Sequence, residues 1–342
     1  MKTIYGVPTG HIVTFIGEKG KGLEYLSIGD YGAGQNVKAD FLGLTKDISG
    51  VANQEPMPLE EKWVITISTQ YGCSSNCLFC DVPKVGHGLN CTYKDLEDMI
   101  VGGLSLHPEV EATKRLNIHF ARMGEPTWNR NVLEISNNLP KIVRPHVGRS
   151  LVHPVVSTML PRKNKKLMNF LSAWTVDIKN YKFRGNAGLQ FSINSTDNKQ
   201  RDHMFSGSSL SLEDISEIGK NLVSPKGRKY ALNFALADEY IIDAERLRKL
   251  FDPRKFMVKI TPLHQTDSCD DNGIYTTGGY TEFTPYKTKE NELKDAGFDV
   301  LVFIPSMDED ESRITCGNAL LSGTRPLTKY TKADYITLKN EC

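Results

Sequence analysis

The chain has 342 residues, enough for one large domain or two small ones. Hydrophobic residues make up 39% and charged residues 24%, which supplies a core and excludes a disordered chain. Lys and Arg number 42 against 41 Asp and Glu, so the formal net charge of +1 excludes a histone-like polycation while local basic patches can still grip phosphate. Gly6, Pro8, Gly10, His11, Gly17 and Glu18 interrupt any apolar leader in the first 20 residues. Apolar runs such as Val300–Ile304 have strand length, far short of a membrane span. Seven cysteines, an odd number with three packed into eight residues, do not read as a secreted disulfide framework. The expected compartment is a reducing cytoplasm, with no membrane partner.

In chain order, the first 60 residues carry short β-prone runs, Ile12–Ile16 and Leu23–Ile28, separated by glycine-containing turns. Gly29–Gly34 lacks the G-x-G-x-x-G order of a phosphate loop and reads as a turn. Residues 50–60, with Asn53, Pro56 and Pro58, read as a linker. From Lys62 onward strands and helices alternate. Strands are expected at Trp63–Thr69, Leu116–Arg122, Leu151–Thr158, Leu189–Asn194, Tyr230–Ala237 and Phe256–Leu263. Helices are expected at Thr92–Leu106, Asn131–Ile142, Asn164–Leu171, Ser211–Asn221 and Asp243–Phe251. Ser211 followed by Glu213 and Asp214 is a helix start, with a capping hydroxyl and acids in the first turn. Repeated strand–helix units predict a parallel α/β architecture, barrel-like or doubly wound.

The chemistry-bearing segment is Cys73-Ser74-Ser75-Asn76-Cys77-Leu78-Phe79-Cys80, directly after the first core strand. Three thiolates on one short loop can converge on one metal centre. They are one ligand fewer than the usual four of a [4Fe–4S] cluster, which leaves an iron open to a substrate, as catalytic metal sites do. Structural zinc with Cys91 as a fourth ligand, or plain buried cysteines, are the alternatives. The spacing, with Phe79, resembles the signature of the radical S-adenosylmethionine (radical SAM) superfamily. At the end of the second core strand stands Met123-Gly124-Glu125-Pro126, on the face where barrel strands gather their active sites. There Gly124 allows close backbone approach and Glu125 can meet an ammonium group.

The likeness narrows to the RlmN/Cfr family of radical SAM RNA adenine methyltransferases. Ser68–Cys73 resembles the family's polar run into the first cluster cysteine, and Met123–Pro126 with Asn129 its MGEP-x-x-N element. Val156-Ser157-Thr158 is similar to its third-strand Ser-Thr, and Phe191–Ile193 with Asp197–Asp202 to its fourth-strand segment. Lys259–Pro262 resembles its N-L-I-P strand, and Thr315-Cys316-Gly317-Asn318 its C-terminal A-C-G-Q motif. The resemblance, spanning about 60–320, implies a partial (β/α)6 radical SAM barrel with an N-terminal β-rich appendage. It implies Cys73, Cys77 and Cys80 as ligands of a [4Fe–4S] cluster, and Gly124, Glu125, Ser157, Ser192 and His264 at S-adenosylmethionine (SAM). It also implies Cys316 as the catalytic cysteine that accepts a methyl group and delivers it to an adenine ring, and a reductant such as flavodoxin or ferredoxin. The other reading of Cys316 is a small residue in a C-terminal turn.

The chain departs from the family at Thr66, where a second cysteine stands seven residues before the first cluster ligand. A hydroxyl cannot form a disulfide with Cys316, leaving Cys91 and Cys269 as substitutes by elimination alone. His264 replaces an asparagine, Asn194 a histidine, and residues 1–60 do not resemble the family's helical accessory region. Basic segments at Arg162–Lys166, Lys226–Lys229 and Arg254-Lys255, and the aromatics Tyr280, Phe283 and Tyr286, fit a nucleic-acid substrate, with RNA favoured. The acidic run Asp308–Glu311 opposes one. The expected organisation is an accessory region at 1–60, a radical SAM barrel at 61–305 and a C-terminal tail at 306–342. A radical SAM enzyme abstracting hydrogen without a methyl-cysteine is the alternative function, and a non-catalytic iron–sulfur or zinc module the second.

Overall fold

A computed structural model describes residues 2–7, 9–29, 58–148, 150–276, 284–303 and 315–322. The turn expected at 30–34, most of the linker, Tyr280, Phe283, the acidic run 308–311 and Cys342 lie outside the described residues.

The described strands are β1 (Lys2–Val7), β2 (Gly10–Ile16), β3 (Gly22–Gly29), β4 (Trp63–Ile67), β5 (Gln70–Tyr71), β6 (Leu89–Asn90), β7 (Leu116–Phe120), β8 (Val152–Thr158), β9 (Gly188–Ser192), β10 (Tyr230–Leu236), β11 (Phe256–Pro262) and β12 (Val300–Val302). The helices are α1 (Val82–Val85), α2 (Tyr93–Leu104), α3 (Asn131–Val147), α4 (Leu167–Ala173), α5 (Asn198–Met204), α6 (Leu212–Asn221), α7 (Ala244–Leu250), α8 (Asp267–Asp271), α9 (Thr284–Asp295) and α10 (Asn318–Ser322). Apart from the β5–β6 ladder, all strands join one sheet in the order β1-β2-β3-β4-β7-β8-β9-β10-β11-β12. Pairing from β4 through β12 is parallel, and β1, β2 and β3 add antiparallel to the free edge of β4. A doubly wound sheet has a point where strand order reverses, and this sheet has none. Of the two architectures open from sequence, it is the singly wound, barrel-type one.

All six expected core strands form, and the short β12 extends the parallel set. Alternation along the strands separates two faces. Trp63, Ile65 and Ile67 of β4 and Leu116, Ile118 and Phe120 of β7 are buried in the main apolar core shared with α2 and α3. The opposite positions, Thr66, His119, Ser157, Gln190, Ser192, Asn233 and Lys259, line the barrel interior.

The helix starts follow capping chemistry. Thr92 and Asp95 form a reciprocal capping box on α2, and Ser211 accepts from the Asp214 N–H on α6. The helix expected to stop at Ile142 continues to Val147 through Pro140 and Pro145. Both prolines are exposed, so the bonds they forfeit lie on the solvent side. The helix expected at Asn164–Leu171 starts later and runs on as a π-helix, Trp174–Lys182.

Candidate active site

The cysteine loop leaves the C-terminal end of β4 and returns through α1. Gly72 has φ +73°, and a Cβ there would collide with the Gly86 carbonyl oxygen, so the turn requires glycine. The loop backbone is fastened from two later crossovers. Met204 O accepts from Leu78 N at 2.8 Å, and Ser206 Oγ donates to Asn76 O at 2.5 Å. Thr266 Oγ1 donates to Phe79 O and Asn272 Nδ2 to Leu78 O, both at 3.0 Å. Buried Asp81 closes the loop by accepting from Ser268 N and Oγ and pairing with Lys84. Cys73, Cys77 and Cys80 are all half-buried free thiols.

Burial pushes the Cys73 thiol up to about 11, against a lowering by the Ser75 N–H, and Glu125 and Cys316 add to the rise. Burial, followed by the neighbouring thiols, also raises the Cys77 and Cys80 thiols well above the ordinary value. A bound cationic centre reverses that balance, because a coordinated thiol ionises outright. Among the described residues, no three His, Cys, Asp or Glu side chains are close enough to hold a single metal ion. A [4Fe–4S] cluster with one open iron would take three thiolates from the protein, the number this loop supplies. The donor set, three thiols of one pinned loop, fits such a cluster in number and type.

The Met123–Pro126 segment crosses directly under this loop. The N–H groups of Thr69 and Gln70 donate to Met123 O at 2.7 and 3.2 Å, and Glu125 N donates to Gln70 Oε1 at 3.1 Å. Gly124, at φ +94°, lies so close to Gln70 that a side chain would not fit. The Glu125 carboxylate is 4% exposed. Its Oε1 accepts from Thr127 N and Oγ1 at 3.0 and 2.7 Å, and its Oε2 from Met159 N at 2.9 Å. Burial raises its pKa against these hydrogen bonds.

Ser157 and Ser192 sit near the C-terminal ends of adjacent parallel strands. Ser157 pairs with Gln190, two residues before Ser192, so both serines face the interior. Buried Arg201, from the segment that resembled the family's fourth-strand motif, fixes the end of β9. It donates to the Ser192 and Ile193 carbonyls and, at 2.8 Å, to Ser209 Oγ. Asn194 is in the left-handed region at φ +59° and accepts from Ala235 N, a structural duty. His264 follows β11 half-buried, its carbonyl facing the Cys269 thiol at 3.6 Å.

Cys316 lies half-buried beside the cysteine loop, with Sγ 3.6 Å from Ala121 O. Cys73 and Cys80 both feel its charge. Gly317, next in the chain, has φ +86° and packs on Val82 and Val85 of α1, and its N–H donates to Glu24 Oε1 at 2.6 Å. Glu24, from β3, pairs with Arg122 at 2.6 Å in a site where both side chains are within 1% of full burial. Burial raises the Cys316 thiol pKa, and the Arg122 guanidinium, which hydrogen-bonds it, pulls it back down. Sequence reasoning missed Glu24 and Arg122. The signal was an acid flanked by Leu23 and Tyr25 in a strand, and a lone arginine before Met123. Cys91 sits against Asp95, and Cys269 against the Phe79 and His264 carbonyls.

A parallel partial barrel with a three-cysteine loop after its first parallel strand is the architecture of radical SAM proteins. The structure is similar to that of a radical SAM methyltransferase from Sphaerobacter thermophilus, with a TM-score of 0.63 over 92% of this chain and 80% of that one. The two are 16% identical, a likeness of fold. No family model matches the chain. In sequence it is 27% identical over 214 residues to the dual-specificity RNA methyltransferase RlmN of Desulfosudis oleivorans, covering 61% of this chain and 53% of that protein. It is 25% identical over 210 residues to a probable RlmN of Aquifex aeolicus, covering 60% and 56%. The chain thus spans about half the length of the curated relatives it matches, and these relatives bear out its resemblance to the RlmN/Cfr-like radical SAM family.

Proposed function

We propose that the chain is a radical SAM methyltransferase of the RlmN/Cfr type acting on an adenine or other base in nucleic acid, with RNA favoured. In this reading Cys73, Cys77 and Cys80 hold a [4Fe–4S] cluster. Gly124, Glu125, Ser157, Ser192 and His264 line the SAM pocket, and Cys316 receives and delivers the methyl group. When bound, the cluster and SAM supply reductive cleavage of a carbon–sulfur bond to a 5′-deoxyadenosyl radical, with electrons from a flavodoxin or ferredoxin. The chain's own part is to hold the parts in register. Gly124 leaves room for close backbone approach, Glu125 places a carboxylate beside the cysteines, and the Glu24–Gly317 bond sets Cys316 over the loop. Residues 1–60 serve as an accessory region to the barrel of 61–305, and 306–342 as the tail carrying Cys316. Among the described residues no helix is long and apolar enough to cross a membrane; the proposed compartment is the cytoplasm.

The observation that carries this reading is the position of Cys316, a C-terminal residue docked against the loop of Cys73 and Cys80. Cys316→Ala in reconstituted protein should abolish substrate methylation and leave reductive SAM cleavage intact. Full methylation by that variant would overturn the reading. A second reading, hydrogen abstraction without a methyl-cysteine, draws support from Thr66. It faces the interior beside His119, where the family has a cysteine, and a hydroxyl cannot resolve a thioether adduct through a disulfide.

A further inference from the structure

A cavity of about 310 Å³ opens at the end of the barrel away from the cysteine loop, between the end of α3, the start of β8 and the loop that follows the π-helix. Three cations, Arg144, Lys182 and Arg184, line it, and no acidic side chain does. Glu111 meets the rim at Gly148 with a backbone carbonyl, and Asp177 of the π-helix lines a separate cavity with Glu134. All three cations are exposed, and among the described residues none has an ion-pair or hydrogen-bond partner for its side chain. Buried Val143 and Phe183 form an apolar wall with Leu151, which is 61% exposed. Arg184 occupies the first position past the end of the π-helix at φ +49°, where glycine is the residue of least strain. Strain of this kind persists where the side chain has a use. Arg144 and Lys182 lie in the last turns of their helices, whose terminal carbonyls offset part of their charge. Arg184, beyond the end, leads the site.

An apolar wall ringed by unpaired cations complements a nucleotide, with a base or sugar face on Leu151 and phosphate among the guanidinium and ammonium groups. A site for a free metabolite encloses most of its ligand. Here Leu151 and the cations stay exposed, which suits a strand passing over the surface. We propose that this cavity anchors the RNA substrate at a point remote from the reacting base, one nucleotide lying on Leu151 with its phosphates on Arg184, Lys182 and Arg144. The inference rests on the RNA reading given above and adds where the RNA is held. β8 runs from Val152 at the cavity to Ser157 near the proposed SAM pocket, about 17 Å of extended strand. The anchor therefore acts on RNA that extends well past the base being modified.

Fluorescence anisotropy of the full chain with a labelled, mixed-sequence RNA strand, over a series of salt concentrations, tests the proposal. Lys182→Gln/Arg184→Gln removes two phosphate contacts, so the slope of log affinity against log salt should flatten by about 1.4 and affinity at about 0.15 M salt should fall about tenfold. Leu151→Ser should weaken binding with the wild-type slope. Arg184→Gly, which relieves the backbone, should melt at or above the wild-type temperature and still bind RNA more weakly. Lys249→Gln, at an exposed cation of α7 on the side of α6 and α9, should change neither affinity nor slope. Wild-type affinity and slope in the double variant would overturn the anchor and leave the RNA reading standing. Binding of adenosine monophosphate that the double variant loses, with RNA binding unchanged, would make the cavity a metabolite site and overturn it too. A wild type that binds no RNA would overturn the anchor and the RNA reading together.

Discussion

The ion pair between Glu24 and Arg122 makes the docking of Cys316 measurable without any cofactor. Both side chains are essentially fully buried and 2.6 Å apart, and Glu24 also accepts the Gly317 N–H at 2.6 Å. Arg122→Ala leaves a carboxylate buried without its cation, a change that costs about 3–5 kcal/mol. Against a typical total of about 5–15 kcal/mol this is a large loss. The double variant Glu24→Leu/Arg122→Met removes both charges and keeps the volume, so it should recover most of the stability. It cannot recover the Gly317 anchor, because leucine accepts no hydrogen bond. Urea denaturation gives the first quantity. The second comes from the rate of Cys316 alkylation by iodoacetamide, followed by peptide mass spectrometry. The double variant should be nearly as stable as wild type yet alkylate Cys316 several-fold faster, whereas Glu24→Gln, which keeps an acceptor oxygen, should stay slow. An Arg122→Ala protein destabilised by less than about 1 kcal/mol, or a double variant with unchanged alkylation, would refute the reasoning.

Gly72→Ala should lower stability by about 1–3 kcal/mol, because it strains a positive-φ residue against the Gly86 carbonyl, and iron retained after reconstitution should fall with it. Cys77→Ala should lose iron colour and SAM cleavage together; stoichiometric zinc without iron in wild-type protein made in iron-replete, anaerobic conditions would contradict the cluster. His119 is held near 3 in the folded state against about 6.5 unfolded, so the unfolded chain binds the extra proton between those values. Stability should therefore fall as pH drops below about 6.5, by at most about 1.4 kcal/mol per pH unit from this group, and His119→Asn should flatten the slope of urea midpoints between pH 7 and 5. An unchanged slope in His119→Asn would show that this imidazole is not held neutral.

The barrel was legible because its signals are local. Strands such as Phe256–Pro262 announce themselves by β-branched and aromatic runs, and helices such as Leu212–Asn221 by a capping serine with acids behind it. The cysteine spacing and the Gly124-Glu125 turn are likewise contiguous in sequence. What escaped were consequences of distance in the chain. Glu24 and Gly317 meet across nearly the whole sequence, and only the folded sheet brings β3 to the Cys316 turn. The π-helix at Trp174–Lys182 escaped because its residues keep an ordinary helical composition. Arg201 is legible in sequence only as part of the fourth-strand motif, and its observed duty is to tie the Ser192 and Ile193 carbonyls to Ser209. Arg144 lies far along the chain from Lys182 and Arg184, and only the fold gathers them around one cavity.

The most direct test of the central claim is mass spectrometry of the Cys316 peptide from protein isolated anaerobically from iron-replete cells. A methyl thioether on Cys316, absent when Cys77 is replaced by alanine, is the predicted result. A bare Cys316 thiol in protein that carries a full cluster and modifies its substrate would contradict the claim.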